Sequence, residues 1–388
     1  MINPLIETIT PFIVMEVLEK ASVMEQNGLH IIHLEVGEPD FAIPAKLIET
    51  SDRAIRSGNT HYTHSLGDMN LRKSIALHYQ KTYQVAVNPE NVIITSGSSP
   101  AIMLVLGALI EPGDEVIISN PGYACYSNFI KFAHGKVVEV PVSAENGFQY
   151  SPQKIAEKIT SKTKAIFINS PMNPTGNLLE PDIIRQISAL GPLVISDEIY
   201  HGLVYEEKAH SILEFSKQAV VISGFSKAYA MTGLRLGYCI CPDELIRPIQ
   251  KLQQNLFICA SSVAQKCGIT ALEECHDDLS RMKTIYNERR LYMISRLKEL
   301  GFQIPVEPTG AFYVFVDCSH LSKDSYHLAF DILEKAHLGV TPGVDFGSNG
   351  EGFLRFSYAN SMDNIKEGLN RLEIYLKNMI ENPPKKKG

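Results

Sequence analysis

Several common signatures are missing from this chain of 388 residues. No Cys-x-x-Cys pair occurs and the cysteine count, seven, is odd, which argues against a disulfide or zinc framework. The pattern reads as reduced thiols in a cytoplasmic protein. Basic excess is missing as well. A net charge of −7 speaks against a protein that coats nucleic acid. The one basic cluster, Lys385 to Lys387, reads as a solvated tail. No apolar run reaches membrane length; the longest, Ala101 to Ile110, is far short of the roughly 20 residues a span needs. The first 20 residues lack a basic stretch leading into an apolar core, and Glu7 and Glu16 interrupt them, so no signal peptide is read. Without a Gly-x-Gly-x-x-Gly or a Walker loop, nucleotide readings fail. No His-Glu-x-x-His occurs, and Gly224-Phe-Ser226-Lys-Ala lacks the second glycine of a hydrolase elbow. Two Ser-x-x-Lys spacings, Ser151 to Lys154 and Ser161 to Lys164, lie in charged stretches and read as chance.

What is present is an ordinary globular composition, 45% hydrophobic and 20% charged. The length suits one large and one smaller domain. Between about Asn91 and Pro242, apolar and β-branched runs alternate with helical stretches. The runs are Val92–Thr95, Glu115–Ser119, Val137–Val140, Ala165–Ile168, Leu193–Ser196, Ala219–Ile222 and Gly237–Cys241. They predict βαβ units and a mostly parallel sheet covered on both faces. Helical spacing over Pro11–Gly28 and Leu279–Glu299 predicts two flanking helices. Gly310–Val316 and Gly352–Ser357 predict strands of a smaller α+β domain, closed by a helix around Ile365–Met379.

Polar residues gather where the runs end: Ser98 and Ser99 after the first, Tyr123 after the second, Asn173 after the fourth. Asp197 and Tyr200 follow the fifth, Ser226 and Lys227 the sixth. Open parallel sheets bind ligands at that edge. Within Ser226-Lys227-Ala-Tyr-Ala-Met-Thr-Gly-Leu-Arg235-Leu-Gly237, lysine and arginine stand eight residues apart. A buried lysine is costly unless its charge is used or removed. Imine formation with an aldehyde removes it, which is how lysines hold pyridoxal phosphate. The guanidinium of Arg235 then answers the phosphate.

Other residues carry two readings each. Ser98 and Ser99 open a helix, as an anion cradle or as an ordinary cap. Asp197 ends an apolar strand, as the partner of a protonated pyridine nitrogen, as a helix cap, or as a metal carboxylate with Glu198 and His201. Tyr200 and Asn173 suit a phenolic oxygen, or packing and an Asn-Pro turn. Tyr123 stacks on a flat ring or sits in the core. Arg355 lies on the predicted strand Phe353–Tyr358, where a buried guanidinium needs an anion: a substrate carboxylate or an internal salt bridge.

The Ser-Lys-Ala-Tyr-Ala-Met-Thr-Gly-Leu-Arg-Leu-Gly segment, with Asn173-Pro174-Thr-Gly176 and Asp197-Glu198-Ile-Tyr200 in this order, resembles the class I/II aminotransferases of fold type I, the aspartate aminotransferase superfamily. The resemblance runs from Val36-Gly37-Glu-Pro-Asp-Phe41 to Arg355. It implies a large domain with a mostly parallel sheet sandwiched by helices, residues 37–285. A smaller α+β domain, 286–388, is joined by an N-terminal helix and arm, 1–36. It implies pyridoxal 5'-phosphate as cofactor and Lys227 as the Schiff-base lysine and general acid/base. Ser98, Ser99, Ser226 and Arg235 then hold the phosphate, and Asp197 pairs with the ring nitrogen. Asn173 and Tyr200 bind the phenolic oxygen, and Tyr123 stacks on the ring. Arg355, with Gly37 beside it and Asn173 nearby, grips the substrate carboxylate. Tyr62 reaches the phosphate of a neighbouring subunit, implying a homodimer with shared sites. One departure is Gly224, three residues before the lysine, where several members carry serine; Ser223 stands one step further back.

The implied reaction moves an amino group from an L-amino acid to a 2-oxo acid by a ping-pong mechanism. The alternative on the same fold is a pyridoxal-phosphate carbon–sulfur β-lyase. Side-chain specificity is expected from residues 9–17, Gly37, Tyr62, Phe257 and Phe312, with the amino donor left open.

Overall fold

Runs of β-branched residues without polar interruption form strands covered on both faces, because each face must meet a hydrophobic layer. In the computed structural model, which describes residues 2–381, twelve strands form three sheets. The Lys385–Lys387 tail lies outside the described residues. A short strand, β1 (Ile32–His33), precedes the main series. That series is β2 (Val92–Thr95), β3 (Glu115–Asn120), β4 (Lys136–Pro141), β5 (Thr163–Asn169), β6 (Leu193–Asp197), β7 (Ala219–Gly224) and β8 (Gly237–Ile240).

These seven make one sheet in the order β2-β8-β7-β6-β5-β3-β4. The pairs from β7 out to β4 are parallel, whereas β8 runs antiparallel to both β7 and β2. Six strands therefore share one direction and β8 alone opposes them. The sheet is an α/β layer with helices on both faces. Alternate side chains divide between two cores: Ile94, Ile166 and Val221 on one face, Ile93, Phe167 and Val220 on the other. Full burial of each such side chain contributes about 1.5–3 kcal/mol.

Four further strands follow: β9 (Tyr313–Asp317), β10 (Leu338–Gly339), β11 (Thr341–Pro342) and β12 (Phe353–Ser357). β12 lies between β11 and β9, antiparallel to each. Its core holds Val314, Val316, Leu354 and Phe356 against Ile365, Leu369 and Leu372 of the C-terminal helix Met362–Glu381. β1 pairs in parallel with β10, which brings the start of the chain onto this later part. The N-terminal helix spans Ile13–Gln26 and the long charged helix His276–Glu299. The first has no cap from its own N-terminal side chain. The carboxylate of Asp345 takes over, accepting from the N–H groups of Ile13 (2.9 Å) and Val14 (3.2 Å).

Candidate active site

The shared direction of β2 to β7 puts their carboxyl ends along one edge, with the amino end of β8 beside them. A cavity of about 340 Å³ opens there. It is lined by Gly37, Ser98, Ser99, Tyr123, Asn173, Asp197, Tyr200, Ser226, Lys227, Arg235 and Arg355. Residues up to 318 positions apart, Gly37 and Arg355, thus meet in one place, most of them carried there by strands that end together.

Lys227 is half-buried at the exit of β7, and its ammonium donates to the Gly37 carbonyl at 2.7 Å. Burial lowers its pKa to about 8; Arg355 and Arg235 push the same way, against Glu38 and Asp197. Asp197 is buried at the end of β6. Burial raises its pKa to about 6, opposed by the Tyr126 hydroxyl, which donates at 2.7 Å, and by the N–H of Ile199 at 3.1 Å. Glu198, next in sequence, points away. It is fixed by donors from Ser196, Ser211 and Ile212. The pair does not converge on a metal, and no cluster of metal-ligating side chains occurs among the described residues.

Arg355 is buried on β12. It donates to Asn173 Oδ1 (2.8 Å), the Glu35 carbonyl (2.6 Å) and Thr341 Oγ1 (3.1 Å), and lies over the Tyr313 ring at 4.2 Å. Its Nε has no acceptor, and among the described residues no carboxylate lies within ion-pair distance of it. A buried guanidinium without a counter-charge is a site for an anion. Of the two readings of this residue, the internal salt bridge is therefore not what the structure shows.

Arg235 stands just before β8, exposed, with its backbone left-handed (φ 52°) and one N–H on the Thr232 carbonyl at 3.1 Å. Gly97 faces it, at φ 112°, directly before the helix Ser98–Leu109. A Cβ on Gly97 would come within 2.5 Å of the Arg235 guanidinium. The glycine thus leaves open a pocket bounded by helix N–H groups, two serines and a guanidinium, a donor set that fits a phosphate. Gly97→Ala should weaken cofactor retention about tenfold while the fold persists, checked by titrating the cofactor-free protein with pyridoxal phosphate. Together with an amine of lowered pKa and a buried carboxylate, this donor set fits pyridoxal 5'-phosphate.

Tyr200 shares a hydrogen bond with Tyr313 (2.8 Å), and Tyr123 stands edge-on to Phe12 and Tyr126. Tyr62 is 79% exposed and outside this cavity. Ser223 also faces elsewhere, donating to the Glu198 carbonyl. Two specificity expectations need correction. Phe312 is fully buried, edge-on to Tyr200 at 5.5 Å, and Phe257 packs into the core; neither lines the cavity. For Phe312 the reason is alternation at the start of β9, where Tyr313, the next residue, takes the cavity side; Phe257 caps the helix Asp243–Leu256 and packs against the core. Within the expected stretch 9–17, Phe12, Val14 and Met15 do line it, followed by Leu18. Tyr126, Glu38 and Thr232 went unrecognised in the sequence. Glu38 and Thr232 stand inside the quoted segments without a role, and Tyr126 stands three residues beyond Tyr123.

Residues 30–372 match the family described as aminotransferase class I and II. The chain belongs to that family and is a fold type I aminotransferase. It is 41% identical over 369 residues to a (5-formylfuran-3-yl)methyl phosphate transaminase of Methanocaldococcus jannaschii, covering 94% of this chain and 96% of the relative. An aspartate aminotransferase of Pyrococcus horikoshii is 38% identical, with 92% and 93% covered. Among solved structures, one from Methanococcus jannaschii, described as similar in its active site to kynurenine aminotransferases, matches at TM-score 0.90 and 40% identity, covering 97% and 100%. Thermus thermophilus aspartate aminotransferase with maleate matches at TM-score 0.93 and 32% identity, covering 96% and 99%.

Proposed function

We propose that this cavity holds pyridoxal 5'-phosphate and transfers an amino group from an L-amino acid to a 2-oxo acid in two half-reactions. When bound, the cofactor supplies an aldehyde for amine exchange and a ring that takes up the electron pair left at the α-carbon. Ser98, Ser99, Ser226 and Arg235 hold its phosphate. Asp197 faces its ring nitrogen, Asn173 and Tyr200 its phenolic oxygen, and Tyr123 its flat side. Tyr62, exposed and away from its own cavity, completes the phosphate site of a second copy in a homodimer. The frame is an arm, 1–36, a cofactor domain, 37–285, and a small domain, 286–388. The pairing of β1 with β10 supports the placement of the arm.

The observation that carries this reading is Lys227, an amine at the floor of the cavity with its pKa lowered to about 8. Near neutral pH a useful fraction is uncharged, so the same nitrogen serves as nucleophile and as proton carrier at the substrate α-carbon. Arg355 orients the substrate by its carboxylate. Phe12, Val14, Met15, Leu18 and Ile102 form an apolar wall. Among the described residues that line the cavity, the cationic side chains are Lys227, Arg235 and Arg355, each already assigned a role. This favours an amino acid with a bulky apolar or aromatic side chain over one with a second carboxylate. Half-reactions with L-phenylalanine and L-aspartate compare the two; faster reaction of aspartate would reverse the preference.

Borohydride reduction of the protein with bound cofactor, followed by digestion and mass spectrometry, tests the core of the reading. The added mass is expected on the peptide carrying Lys227; label elsewhere, or none, overturns it. A second expectation concerns pH. Burial raises Asp197 and the Tyr126 hydrogen bond lowers it, so Tyr126→Phe lets its pKa rise further. Asp197 then takes up its proton earlier as pH falls. The acid limb of kcat should move to higher pH in the variant's rate–pH profile.

A further inference from the structure

Outside the cavity, three titratable side chains form a line that the reaction does not use. Glu35 is completely buried. One of its oxygens lies 2.6 Å from His33 Nδ1, and the other has no donor among the described residues. The Nε2 of His33 lies 3.2 Å from Glu25 Oε1 on the helix Ile13–Gln26. A fully buried carboxylate is costly unless a cation answers it. His33 is that cation: the hydrogen bond to Glu35, outweighing burial and helped by Glu25, raises its pKa to about 9. Room is made on purpose. Gly339 pairs with His33 across β1 and β10, and a Cβ there would overlap the Glu35 carboxylate.

Two functional contacts depend on this short segment. The Glu35 carbonyl accepts from Arg355 Nη2 at 2.6 Å and from Thr341 Oγ1 at 3.1 Å. Two residues on, the Gly37 carbonyl accepts from Lys227 at 2.7 Å. The helix that carries Glu25 also carries Val14, Met15 and Leu18 of the apolar wall. We propose that His33 is a positioning residue for the reaction: clamped between Glu35 and Glu25, it sets the register in which Arg355 meets the substrate carboxylate and the wall meets the side chain. This rests on the reading that Arg355 binds that carboxylate.

The groups that face His33 are Glu35 from its own segment and Glu25 from the N-terminal helix. β10 contributes Gly339, and the loop after β12 contributes the Asn360 amide, which donates to the His33 carbonyl. Arg371, from the C-terminal helix, is taken up by the carbonyls of His30 and His337 and by Glu367. Because the folded pKa of His33 is raised, the clamp is complete below its ordinary value and is lost as pH rises through about 9.

The test uses the cofactor-loaded enzyme and 3-phenylpropionate, an unreactive carboxylate, with binding measured by calorimetry from pH 7 to 10. The parent should lose affinity above about pH 9. His33→Gln should bind about tenfold more weakly at pH 7, the scale of a small misplacement, and should lack the alkaline fall. Its KM for the amino donor should rise by the same factor with kcat nearly unchanged. Glu25→Gln should bind as the parent does at pH 7 but begin its alkaline fall at lower pH, since one carboxylate that raises His33 is gone. Parent-like affinity and pH dependence in His33→Gln overturn the proposal. If that variant does not fold, an unmoved limb in Glu25→Gln overturns it equally. Arg355→Ala separates the two levels: unchanged binding there refutes the carboxylate assignment itself, whereas weakened binding beside a parent-like His33→Gln refutes only the clamp.

Discussion

Lys227→Ala should lower transamination by about 10⁴-fold or more, a loss of about 5.5 kcal/mol of barrier reduction. The size follows from the surroundings. The remaining bases at the cavity are Asp197, engaged by Tyr126 and the Ile199 N–H, and Glu38, engaged by Thr232. Neither is an amine, so neither exchanges with an amino acid, and neither is free to carry the α-proton. Small primary amines added to the medium should restore part of the proton transfer, since the vacated space admits them. Stopped-flow recording of the half-reaction with and without methylamine checks both. Parent-like turnover in the variant would remove Lys227 from the mechanism.

Arg355→Ala should raise KM for amino acid and 2-oxo acid about 100-fold, in keeping with the 2–5 kcal/mol lost when one partner of a buried charge pair is truncated. The guanidinium holds Asn173 Oδ1, the Glu35 carbonyl and Thr341 Oγ1 at once, so the variant also takes the Arg355 donor from Asn173 Oδ1 and leaves the Glu35 carbonyl with the Thr341 hydroxyl alone. Arg355→Lys should recover only part of the affinity, because a point charge does not replace two parallel N–H donors. Steady-state kinetics of both variants read the outcome. An unchanged KM in Arg355→Ala would move the carboxylate site elsewhere.

The main sheet could be read from sequence because parallel strands buried on both faces show unbroken apolar runs. Each of the seven runs became a strand within one or two residues of its expected limits. The edge where ligands gather was readable for the same reason, since polar residues such as Asp197 and Lys227 interrupt those runs only at their ends. Contacts made sideways were not readable. The grip of Tyr126 on Asp197 joins residues 71 positions apart, and no local pattern announces it. The exchange of Phe312 for Tyr313 turned on the phase of a strand, which two adjacent aromatic residues leave ambiguous. That Arg355 needs an anion is legible in the sequence; that no carboxylate among the described residues supplies one shows only in the fold.

The reversal of β8 has a geometric outcome for the chain between Gly224 and Gly237, which face each other across β7 and β8. Lys227 leaves one limb of this hairpin and Arg235 enters the other, so the connection between them works as a caliper whose jaws are an amine and a guanidinium. Surface loops ordinarily absorb extra residues at little cost. This one cannot, because a residue added between the jaws would change the span they measure before it disturbed the sheet.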